Sequence, residues 1–80
     1  VKKPSLSING TSAKSLLDGY LEARKALRVA TNVLRDTWPH ARDYPQEDWP
    51  VAVAEHEDRL RRLASVYKEL GDLMEHCAGR

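Results

Sequence analysis

The chain has 80 residues, a formal net charge of +1 and a single cysteine, Cys77. That length allows one small domain, the near-zero charge removes bulk attraction to nucleic acid or anionic membrane, and one cysteine excludes an intramolecular disulfide. No apolar run approaches the ~20 residues needed to span a bilayer, and no Cys/His set has zinc spacing.

Residues 1–10 read as an arm. Leu6 and Ile8 alternate with Ser5, Ser7 and Asn9, which is strand-like spacing in a piece too short to stand alone. The basic start, Val1-Lys2-Lys3-Pro4-Ser5, has no apolar segment behind it, so no secretory leader is expected there. Asn9-Gly10 is a turn, and Thr11 or Ser12 is a good N-cap, predicting a first helix over about 12–37. Apolar or small residues recur at Leu16, Tyr20, Ala23, Leu27, Ala30, Leu34 and Thr37, the rhythm of a helix packed along one seam. Trp38-Pro39 ends it.

A loop over 38–48 follows, unusually rich in large rings for a connector: Trp38 and Tyr44, with Trp49 just beyond. The second helix is predicted over 49–77, with Asp48 as N-cap, Pro50 in the first turn and Ala78-Gly79 as the stop. Its seam reads Val53, His56, Leu60, Leu63, Tyr67, Leu70, Met74 and Cys77. Laid antiparallel about Pro45, the seams place Leu16 on Met74, Tyr20 on Leu70, Ala23 on Tyr67 and Leu27 on Leu63. Ala30 then faces Leu60, Leu34 faces His56 and Thr37 faces Val53. The expected fold is all-α: an antiparallel, coiled-coil-like two-helix hairpin over 11–80, with a short N-terminal arm.

Such a hairpin leaves apolar surface wet. Gly19, Ala26, Val33, Val66 and Leu73 flank the seam, and Gly19 and Gly71 suit close approach by a neighbouring helix. These five flank positions are the expected interface of a homo-oligomer, a dimer or larger, that completes a helical bundle.

Chemistry is sparse. His40, Asp43, Glu47 and His56 could support acid/base work or a metal, but their spacing matches no ligand or catalytic motif, so no metal, cofactor or enzymatic activity is expected. His56 reads as a seam histidine that reaches water or a loop carbonyl. Arginines cluster at Arg24, Arg28, Arg35, Arg59, Arg61 and Arg62, with the pairing above bringing Arg28 near Arg62 and Arg35 to Glu55. Arg42-Asp43-Tyr44 offers a donor fork, an acceptor and a flat ring on the loop, whereas the Trp pair suits a cap on the end of the seam. The candidate partner-binding residues are therefore Arg42, Asp43, Tyr44, Arg28, Arg59 and Arg62. No helix-turn-helix, zinc-finger or basic-region pattern is present, so duplex DNA is not an expected partner.

Asn9-Gly10-Thr11-Ser12 opening a helix, with Arg42-Asp43-Tyr44-Pro45-Gln46 in the connector, resembles small accessory proteins of tailed phages and prophages. The resemblance spans nearly the whole chain, although Pro45 stands where those proteins often carry a second aromatic. It implies a non-virion role in the cytoplasm of a bacterial host and brings no settled activity. The expected function is binding: a host-directed inhibitor or anti-defence protein that occupies a host protein or sequesters a small, anionic, nucleotide-like signal. A structural or assembly bundle with no small ligand is the alternative.

Overall fold

The computed structural model describes residues 1–6 and 11–79. Two helices make up most of it: α1 (Ala13–Asp36) and α2 (Trp49–Cys77), joined through a 3-10 turn at Ala41–Asp43. They run antiparallel as a hairpin with extents of 58 × 20 × 19 Å. No described helix is long and apolar enough to cross a membrane. Ile8 and the Asn9-Gly10 turn lie outside the described residues.

The helix ends follow from local chemistry. Ser12 is the N-cap of α1, its Oγ accepting from the Ser15 N–H at 3.1 Å. Asp48 occupies the equivalent place on α2, but its side chain makes no capping bond; Pro50 fills the first turn instead. Gly79, at φ +78°, closes α2, its N–H donating to the His76 carbonyl at 3.2 Å while Ala78 N–H donates to Met74. Only a residue without a Cβ takes that left-handed turn at no steric cost.

The α2 seam forms as its spacing predicts. Val53, His56, Leu60, Leu63, Tyr67, Leu70, Met74 and Cys77 are all buried or half-buried. The α1 seam differs in alternate layers. Tyr20, Leu27 and Leu34 face inward, but Ala23, Ala30 and Thr37 are exposed, and Arg24, Thr31 and Trp38 take their places. An alanine has little surface to bury. The rotation that turns Ala23 and Ala30 outward brings in the Arg24 stem, Leu17, Leu21 and the Trp38 ring, which remove more apolar area from water.

The described part of the arm touches the end of α2. His76 Nε2 lies 2.8 Å from the Pro4 carbonyl and donates to it, so the arm meets α2 within the same chain. Leu73, one helical turn before His76 on that face, is only 8% exposed. This corrects its expected place in an oligomer interface: Leu73 is covered within its own chain.

Candidate binding surfaces

The expected loop site is spread out. Arg42 and Asp43 sit in the 3-10 turn and are exposed, with Asp43 N–H donating to the His40 carbonyl at 3.0 Å. Tyr44, the next residue, lines a hollow with Thr37, Pro39, Glu55, His56 and Arg59. The fold thus brings together Tyr44 and Arg59, two candidates from different helical neighbourhoods, and leaves Arg42 and Asp43 outside that hollow.

His56 is the floor of this end of the molecule, 4% exposed. Its Nε2 lies 2.7 Å from the Leu34 carbonyl oxygen, which can only accept, so Nε2 carries the proton. Nδ1 is then the acceptor for the Arg59 guanidinium at 3.3 Å. The carbonyl belongs to the last turn of α1 rather than to the loop, so the ring joins the two helices directly. Trp38 meets the same ring edge-on, with centroids 5.2 Å apart at 82°. Trp49 secures the connector from the other side, its Nε1–H donating to the Pro39 carbonyl at 3.1 Å. Both tryptophans therefore hold the loop in place.

The cations sort into two groups. Lys14, Lys25, Arg61, Arg62 and Lys68 each have a carboxylate three or four residues away on their own helix. These exposed pairs neutralise charge and add little stability. Arg62 is held by Asp58 at 3.0 Å and does not share a groove with Arg28, contrary to the expected pairing.

Lys2, Lys3, Arg24, Arg42 and Arg59 have no carboxylate partner among the described residues, and neither do Arg28 and Arg35. The last two lie seven residues apart on one face of α1, about 10 Å along its axis. With Thr31, Asn32, Leu63, Ala64 and Tyr67 they line an open groove of ≈ 390 Å³. Arg35 Nη1 donates to Asn32 Oδ1 at 3.2 Å instead of meeting Glu55. Two cations with unspent donors beside an aromatic wall suit phosphate or carboxylate groups.

Arg24 is the contact that sequence reasoning missed. In the sequence it stands only as one member of the arginine cluster. Its guanidinium lies over the Tyr67 ring, 3.9 Å from the centroid, and its Nε donates to the Tyr67 carbonyl at 3.1 Å. A Cβ built on Gly71 would fall 2.8 Å from Arg24 Nη2, so this glycine accommodates a side chain rather than a neighbouring backbone. Gly19 meets nothing within 4 Å in the single chain. The one available signal was Gly71, a glycine costing about 1 kcal/mol in a helix interior and lying one turn beyond a seam tyrosine.

No protein-family model matches the chain, and no curated protein or solved structure matches it.

Proposed function

We propose that this chain is a non-enzymatic phage or prophage accessory protein that acts by binding in the bacterial cytoplasm, as a homo-oligomer. Its targets are a host protein or a small anionic, nucleotide-like signal, and its effect is inhibition of the host or of host defence. The observation that carries this reading is the Arg28–Arg35 groove: two arginines with no carboxylate partner among the described residues line one open groove beside Tyr67. Both are exposed, and a guanidinium fork with free donors suits bidentate recognition of an anion. Tyr44 and Arg59 supply a second polar surface at the loop end.

The test is native mass spectrometry of protein gently purified from a bacterial host, run beside the Arg28→Ala/Arg35→Ala double variant. The reading expects a bound small anion, or a captured host protein, on the wild type and its loss from the variant. Identical spectra with nothing retained on either would sink it. The elongated shape and exposed flank of α1 favour the second reading, a structural bundle component, which expects defined oligomers and no ligand.

A further inference from the structure

We infer that a second copy of this chain docks on the outer flank of α1, opposite the arginine groove. The inference rests on the oligomeric reading above and names the face that carries it.

The hairpin holds more surface in water than a compact domain of its mass. Its accessible area is 6102 Å², whereas folded monomers of 9.1 kDa expose about 4,900 Å². Its radius of gyration is 17.5 Å, against about 12 Å for a compact chain of this length. The surplus, on the order of 1,200 Å² per chain, matches what a partner removes when a stable interface forms, about 800 Å² per side or more. The chain has no disulfide to offset so thin a core.

Of the large hydrophobic side chains exposed among the described residues, Val1, Leu6, Tyr44, Trp49 and Val51 are spread over the arm, the connector and the start of α2, and three lie along the helices. Val29 and Val33 on α1 are 64% and 59% exposed, and Val66 on α2 is 44% exposed. Ala23, Ala26, Ala30 and Val33 recur at steps of three and four, the spacing of a packed seam, yet all face water. They form a stripe roughly a quarter-turn away from the seam of Tyr20, Leu27 and Leu34. Thus α1 carries two seams, and the hairpin consumes one.

The second seam complements itself. Laid antiparallel on its own copy about position 28, it sets Ala23 against Val33 and Ala26 against Ala30. Each pairing occurs twice, as a two-fold axis requires, and the small residues admit close approach of the backbones. Self-complementarity points to this chain, rather than an unrelated protein, as the occupant.

Light scattering on the full chain at micromolar concentration tests the proposal. The wild type should weigh twice the 9.1 kDa of one chain, or an even multiple. Val33→Glu should at least halve that mass, while Glu57→Lys, an exposed change on α2 away from the stripe, should leave it unchanged. Because a separated hairpin can lose its fold, an Ala26→Cys/Ala30→Cys variant provides an independent readout. Oxidation should link two chains covalently through cysteines that meet across the axis. A wild-type mass of one chain would overturn both the face and the oligomeric reading. An oligomer that tolerates Val33→Glu, or that does not cross-link, would overturn the face alone.

Discussion

The guanidinium of Arg24 stacks 3.9 Å from the centroid of Tyr67 and donates from Nε to the carbonyl of that same residue at 3.1 Å. One side chain thus reads both the ring and the backbone of its partner on the other helix. This ties the register of α1 on α2 to a polar contact where the remaining layers are mostly aliphatic, and fork geometry restricts it to one alignment.

Arg24→Ala should destabilise the fold by about 2 kcal/mol, the combined loss of a cation–π contact, a charge-assisted hydrogen bond and a packed stem. Arg24→Lys should recover less than half of that, because a point charge cannot stack and fork together. Urea unfolding followed by circular dichroism measures both. Equal stability of wild type and Arg24→Ala would show that the contact contributes nothing net.

Gly71→Ala separates helix propensity from this contact. In the Arg24→Ala background, the added methyl should stabilise by about 1 kcal/mol, since its nearest neighbours, the guanidinium atoms, are gone. In the wild type the same methyl must displace the Arg24 guanidinium, and the gain should shrink or reverse. A double-mutant cycle should give a coupling of about 0.5–1 kcal/mol. Perfect additivity would contradict the geometry.

His56→Ala should be among the costliest single changes, about 2–4 kcal/mol, because it empties a buried site and removes the donor to Leu34. The Trp38 ring loses its edge contact as well. Tryptophan fluorescence should therefore shift under native conditions, before any unfolding. His56→Gln, which keeps a donor of similar reach, should lose less stability than His56→Ala.

The two N-caps should respond differently. Ser12→Ala removes a capping bond to Ser15 and should cost about 1 kcal/mol. Asp48→Ala removes no capping bond and should change stability by less than about 0.5 kcal/mol. Comparable losses at both positions would mean that Asp48 acts through its charge at the helix start.

Much of this molecule was legible in the amino-acid order. Helix limits came from Ser12, Pro39, Pro50 and Gly79, whose effects on the chain act within a turn and need no partner. The hairpin followed from two apolar stripes of matching length, and the α2 seam followed from large residues at heptad spacing, with His56 against Leu34 as expected. Rotation of α1 was a different matter. Gly19, Ala23, Ala26 and Ala30 leave its wheel without one dominant apolar side, so periodicity allowed two seams of similar quality.

Tertiary contact chose between them. Arg24 over Tyr67, Trp38 against His56 and the inward Leu17 and Leu21 all require the partner helix to be in place before their burial counts. Which arginines lack carboxylates was likewise a three-dimensional outcome, since pairing depends on reach across and along helices rather than on composition. The sequence by itself determined the elements and their antiparallel order, because capping, turn geometry and apolar spacing are local. The packing of α1 on α2 decided which face closes the hairpin and which remains outside, because that balance is struck between side chains far apart in the chain.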